Sequence, residues 1–185
     1  TPGYAEMGIA LGEADGLRSI GYKPRFYTDR YTQFGVDIDS DGLNQLYESG
    51  LGKEQFYELD ADVHLIDPNW LINNFDGWKQ SDIDAVAEAT GPFVGNTIFR
   101  RTDDWHSYKY YSMYEAFKKI SQVFQAGERY DALARMHEEY VRGRVADNLP
   151  PESERPETML VYAASDEPTK FAPYPLRTAG TGAKH

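Results

Sequence analysis

The chain has no cysteine, which excludes disulfide bridges, thiolate metal sites and cysteine nucleophiles. It has no run approaching the ~18 to 20 apolar residues that a membrane span needs, and no basic, apolar leader opens it. The expectation is therefore a soluble polypeptide, processed or trimmed at its N-terminus. Positive charge is scarce: 19 Lys and Arg stand against 30 Asp and Glu spread along the chain, a formal charge of −11. Phosphate backbones are bound by clustered Lys and Arg, so nucleic acid is not an expected partner. Fixed-period repeats, low-complexity stretches, a glycine-rich phosphate loop, a nucleophile elbow and a metal-binding His pair are all missing.

What is present suffices for a folded core. The 185 residues are 41% hydrophobic and 14% aromatic, enough to bury one good core or two small ones. The acidic residues are spread along the chain, as in the solubility devices of salt-adapted, halophile proteins.

The clearest plan lies at Lys53 to Pro68. It reads as a short helix, a tight corner at Asp60 to Asp62, and a strand Val63 to Ile66 that stops at Asp67-Pro68, because proline cannot donate to a sheet ladder. Val63, Leu65 and Ile66 make that strand mostly apolar, as a parallel strand covered on both faces requires. Upstream, Ala5 to Leu11 has the apolar residues of a helix, with Gly12 as its C-cap. Lys23 to Thr28 reads as a further strand and Asp29 to Gly35 as a loop. Downstream, Asn69 to Trp78 reads as an aromatic connection. Ser81 opens a helix with early acids that stops at Gly91-Pro92, and Phe93-Val94 begins another strand. Alternation of strand and helix implies an α/β layer with parallel pairing and right-handed crossovers.

Two groups of residues suggest chemistry. Asp37, Asp39 and Asp41, followed by Gly42 and Glu48, fit the spacing of a calcium loop, in which alternating carboxylates and a bidentate glutamate converge on one hard cation. The alternative is an acidic surface loop whose Asp41 caps a helix over Leu43 to Tyr47. The second group is Trp70, Arg100, Arg101 and Trp105. Ligands of open parallel sheets sit beyond the carboxyl ends of the strands, and by that rule Asn69 and Trp70 after one predicted strand, and Arg100 to Tyr108 after the next, are expected to face the same edge. Arginines give charge-assisted, bidentate bonds to oxyanions, and Trp gives flat contact area. The alternative is that the arginines pair with Asp103 and Asp104. Tyr110, Tyr111 and Tyr114 are expected on the core face of the next helix.

That helix, Tyr111 to Gln125, carries Tyr114, Phe117, Ile120 and Phe124 on one stripe. After Ala126-Gly127, the stretch Glu128 to Leu149 reads as one rod of roughly 33 Å at 1.5 Å per residue. His137 is expected to be a core-facing or boundary residue of this rod. Arg155-Pro156 then leads into an apolar strand, Thr158 to Ala163.

Glu54, Leu59, Asp62 and the strand after them, followed by the long rod and the basic-proline entry into a new strand, resemble the metal-chelate substrate-binding proteins of ABC importers. That family handles ferric siderophores, haem and cobalamin. It usually has proline before the aspartate, where this chain has Ala61. The resemblance implies an α/β, two-lobed periplasmic-binding-protein-like fold whose lobes are joined by a long helix. It places the first lobe at residues 1–127, the linking helix at 128–149 and the start of a second lobe at 150–185. The family's strand before the first helix has no counterpart here, and most of the second lobe is missing, so the resemblance implies a truncated chain. In that reading Phe171 to His185 is a loop carrying a ligand-facing aromatic. Glu54 is the rim charge that meets the ABC permease, and Trp70, Arg100, Arg101 and Trp105 face an iron chelate. The function implied is capture of an iron-siderophore or related chelate outside the cytoplasm, at the cell surface or in the periplasm. The protein would be no enzyme and would need no cofactor beyond possible calcium, and membrane attachment would come only through a lipid anchor outside this chain. An α/β enzyme with a small-molecule substrate and a calcium-stabilised surface interaction module are the alternatives.

Overall fold

Helical and extended segments alternate through the computed structural model, which describes residues 2–47, 50–96, 104–109, 111–157, 159, 161–163 and 171–173. The first helix, α1 (Pro2–Leu11), ends as its sequence requires. Gly12 takes φ +101°, and its N–H and that of Glu13 donate to the carbonyls of Ile9 and Gly8. This pair of bonds is the Schellman closure, which needs a left-handed residue.

Strand β1 (Ser19–Ile20) follows, and runs parallel to β2 (Asn44–Gln45), with Ser19 opposite Asn44 and Ile20 opposite Gln45. Between them lie a 3-10 turn at Lys23–Arg25 and a short helix, α2 (Asp29–Thr32). The sequence placed a strand at Lys23 to Thr28; Pro24 instead sits inside the 3-10 turn, and the ladder has moved upstream, where every residue has an N–H to donate. The helix expected over Leu43 to Tyr47 is likewise replaced by β2.

The Lys53 stretch folds largely as read. Helix α3 (Lys53–Leu59) ends at Asp60, whose φ of 45° makes the corner. The strand after it is reduced to one parallel bridge: His64 N–H donates to the Pro92 carbonyl, and Val94 N–H donates back to the His64 carbonyl. Residues 69–78, read as a connection, instead begin with a helix, α4 (Pro68–Asn74). Proline at its first position loses no hydrogen bond, and Asp67 caps it. Helix α5 (Gln80–Ala89) completes the crossover to Phe93.

Alternate residues of this layer point to opposite sides. Ile66 joins Phe56, Leu71, Trp78, Ile83 and Val86 in one cluster, while Leu65 and Val94 pack towards Tyr4, Met7, Leu11, Ala116 and Ile120 in another. A third cluster gathers Ala5, Ile9, Ile20, Phe26 and Leu43. Helices thus cover both faces of a short parallel layer.

Helix α6 (Met113–Val123) carries Ala116 and Ile120 into that second cluster. Ser112 caps it by accepting from Glu115 N–H, and Glu115 accepts from Ser112 N–H in return. A second Schellman closure ends it, with Gln125 at φ 54°. Helix α7 (Gly127–Met136) then continues through a wider, π-type stretch (His137–Arg144) into a last turn (Val145–Asp147). Tyr130 packs edge-on against Phe117, and His137 lies against the Tyr114 ring, at the boundary where the sequence placed it.

Beyond the rod, β3 (Val161–Ala163) pairs with β4 (Phe171–Pro173). The pairing is antiparallel, so Phe171–Pro173 is strand where the sequence suggested loop. Among the described residues helix far outweighs strand, so the fold is mixed α/β with helix predominant. Among the described residues, no helix is long and apolar enough to cross a membrane.

Candidate functional site

The parallel segments at His64 and Phe93 both end at the same edge, and the polar residues that follow them are tied together there. After Ile66 the chain turns sharply, Ile66 N–H donating to the His64 carbonyl at 2.9 Å. This delivers Asp67 to the start of α4. Asp67 is 4% exposed, and its Oδ1 accepts from the Asn69 backbone N–H at 3.0 Å and from Asn69 Nδ2 at 3.3 Å. Its other oxygen, Oδ2, accepts from the Tyr108 hydroxyl. A buried carboxylate is tolerated when its lone pairs are filled in this way.

The neighbouring strand end is held by α1. Asn96 N–H donates to the Tyr4 hydroxyl at 2.9 Å, which itself donates to the Asn96 carbonyl at 2.7 Å. Burial pushes the Tyr4 pKa up to about 12. Asn96 Nδ2 reaches on to the Lys109 carbonyl at 3.0 Å. Gly95, at φ +150°, lets the strand pass so close that a Cβ there would lie 3.2 Å from both the Ile66 carbonyl carbon and the Tyr4 ring.

The segment 104–109 covers this edge. Trp105 stacks on His106 with centroids 3.8 Å apart, and His106 meets Tyr108 edge-on at 5.5 Å. Lys109 Nζ binds Glu115 at 2.9 Å. The Ser112 N–H and then Lys109 hold the Glu115 carboxyl down to about 2. The edge therefore combines amides, a hydroxyl and flat rings, a set suited to holding a small ligand by directed hydrogen bonds and stacking.

Of the residues singled out from the sequence, Asn69, Trp105 and Tyr108 lie on this edge. Trp70 belongs to the first turns of α4, half-buried against the Phe56 cluster, with Tyr47 at 5.4 Å and Phe75 at 5.0 Å. Arg100 and Arg101 lie outside the described residues. Glu54 is exposed on the first turn of α3 and forms no ion pair among the described residues. Asp39 closes its own turn, its Oδ1 accepting from the N–H groups of Asp41 at 3.1 Å and Gly42 at 3.2 Å. Among the described residues no three His, Asp or Glu side chains come together as a cation site, and Glu48 lies outside them. Asp37 and Asp41 flank that turn, and β2 rather than a helix follows it.

Tyr4, Asp67 and Asn96 are the residues that sequence reasoning missed. Asp67 carried a signal, since aspartate before proline at a strand end is also a helix N-cap. Tyr4 and Asn96 carried none, because they lie 92 positions apart in the chain.

His64, the buried histidine of the layer, has a structural part. Its Nε2 lies 2.8 Å from Thr90 Oγ1, whose own proton goes to the Val86 carbonyl at 2.9 Å. Thr90 is thus the acceptor, and His64 carries its proton on Nε2. Phe56 and Phe93 flank the ring, and burial pushes its pKa below the ordinary value. Comparison with family models, curated proteins and solved structures gave no match.

Proposed function

We propose that the chain supplies the first lobe and linking helix of an extracytoplasmic solute-binding subunit of an ABC importer. Its ligand would be an iron-siderophore or a related metal chelate, held on the edge beyond His64 and Phe93 and delivered to a permease. The observation that carries the reading is the Tyr108–Asp67 bond, which ties the loops after two parallel segments into one surface. Strand-end surfaces of that kind are where open α/β layers take their ligands.

Trp105 would stack on the chelate. Arg100 and Arg101, in the stretch of sequence between Asn96 and Trp105, would pair with its anionic groups. The exposed rod 127–147 would lead to a second lobe, and the exposed Glu54 would dock the permease. A rim charge governs partner choice and encounter more than fold stability.

Titration with ferric catecholate, ferric hydroxamate, haem and cobalamin, read by tryptophan fluorescence and followed by mass spectrometry of the ligand, tests the proposal. Saturable quenching with the ligand recovered unchanged is expected, and Trp105→Ala should abolish it. Chemical conversion of the ligand would favour the enzyme reading. No response to any chelate would remove the importer reading.

A further inference from the structure

A groove of about 650 Å³ separates β1 from the segment 63–65, walled by Ser19–Gly21 on one side and Val63–Ile66 on the other. β1 spends its Arg18, Ile20 and Gly21 carbonyls on the N–H groups of Asn44, Leu46 and Tyr47, away from the groove. His64 spends its N–H and its carbonyl on residues 92 and 94. Backbone groups alternate along a strand, so those of Ser19, Val63 and Leu65 face the groove. Among the described residues they form no hydrogen bond across it. The faces above and below are apolar: Gly8, Ile9 and Phe124 on one side, Phe56 and Leu59 on the other.

A ligand for this groove carries hydrogen-bond donors and acceptors along both of its edges and apolar groups above and below. An extended peptide has both properties, because its amides point sideways and its side chains alternate up and down. Charge adds a direction. Glu13, Asp60 and Asp62 line one end of the groove, with Arg18 beside them, and the rest of the lining is uncharged apart from the His64 ring. All four are exposed and form no ion pair among the described residues.

Helix α1 shows that the acidic end is where both walls begin. Its first turn holds the strand end through Tyr4 and Asn96, and the helix runs back from there to Gly12. The chain then turns through Glu13 and Leu17 into β1, so β1 and the segment 63–65 run the same way. A peptide lying parallel to them also starts at the acidic end, where three carboxylates against one arginine favour a cation. We propose that the groove docks an extended, apolar segment of a partner protein, about five residues long, parallel to both walls and with a Lys or Arg at its N-terminal end. This docking is independent of whether the strand-end edge binds a chelate.

The probe is the N-acetylated peptide Lys-Val-Ile-Val-Val-Thr with a fluorophore at its C-terminus, titrated with the protein and read by anisotropy. Amide hydrogen exchange of the protein locates the bound peptide. Saturable binding is expected, with slowed exchange at the Ser19, Val63 and Leu65 amides. Replacing the peptide's second Val by Pro, which removes a ladder donor, should weaken binding about tenfold. Replacing its Lys by Glu should weaken binding about three- to fivefold at low salt, and Asp60→Asn with Asp62→Asn should shrink that difference. Absence of binding, or equal binding of the Pro peptide, would overturn the proposal. Equal binding of a peptide with its Lys moved to the C-terminal end would overturn the direction and with it the charge argument. Protection of the same amides by dodecylamine, which has the cation and the apolar chain but no amides, would assign the groove to an amphiphile instead. Protection that rises with protein concentration in the absence of peptide would assign it to a second copy, and either result would overturn the proposal.

Discussion

Helix α6 and the rod 127–147 carry the same kind of apolar periodicity and end in opposite surroundings. On α6, Ala116 and Ile120 are 2% and 1% exposed. On the rod, no described residue is buried, and Met136, Tyr140 and Val145 are 60%, 60% and 51% exposed. The difference lies in what stands opposite each helix: α6 meets α1 and the Val94 side of the layer, whereas only the first turns of the rod meet α6. Periodicity specifies which face a helix offers, and burial depends on a partner that the helix does not encode.

The sharpest way to break this comparison is to truncate one residue from each helix. Ile120→Ala should cost about 2–5 kcal/mol, the range for opening a cavity in a closed core. Val145→Ala should stay within about 0.5 kcal/mol, as exposed positions do. Urea unfolding of both variants gives the two figures. A Val145 loss as large as the Ile120 loss would mean that the rod is covered in solution.

The next effect depends on pH and belongs to the packed part alone. Burial lowers the His64 pKa in the fold below its ordinary 6.5. The unfolded chain therefore binds the proton more readily, and stability falls as pH drops. The contribution is complete above about 6.5 and declines below it until the folded pKa is passed. In His64→Gln, the slope of unfolding free energy against pH should flatten in that window, whatever the overall loss. An unchanged slope would assign the acid sensitivity to other groups.

The sequence was most informative where local chemistry decides the outcome. Gly12 and Gly91-Pro92 ended helices where expected, Asp60 made its corner, and Ser81 with its early acids announced α5. Parallel polarity was also legible, from helix following strand. Strand positions were not, because Lys23 to Thr28 and Ser19–Ile20 look alike until the β2 ladder selects the segment without proline. The calcium spacing read three aspartates as converging, but a turn closed by Asp39 competes for its own oxygen. The strand-end edge was half legible: Asn69, Trp105 and Tyr108 were placed beyond the strand ends by rule, while Tyr4 and Asn96 reach it only through folding.

A smaller effect is expected where the two compared regions join. Gln125 holds φ 54° to close α6 before the rod begins, a conformation that costs a side-chain-bearing residue roughly 1–2 kcal/mol. Gln125→Gly should raise stability by a net of about 0.5–1 kcal/mol, because glycine's extra freedom in the unfolded chain offsets part of the relief. A loss of stability would show that the Gln125 side chain holds the junction. In that case the rod would be less independent of the packed part than its exposure suggests.

The smallest effect on the fold should come from Glu54, an exposed residue within the otherwise well-packed first region. Phe56, two positions along the same helix, is 1% exposed, so α3 buries one face and leaves Glu54 on the other. Reversing its charge in Glu54→Arg removes a favourable acid from a helix N-terminus, worth about 0.3–1 kcal/mol at low salt. It breaks no ion pair among the described residues. Thermal unfolding should therefore shift only slightly, and less at high salt. If Glu54 is the rim charge that meets an importer, the same variant should bind its chelate normally and lose delivery to the permease in a reconstituted uptake assay. Normal uptake with unchanged stability would leave Glu54 an ordinary surface acid and withdraw its docking role. A large drop in melting temperature would instead show that α3 depends on it, and that the exposed face of this helix is as structural as the buried one.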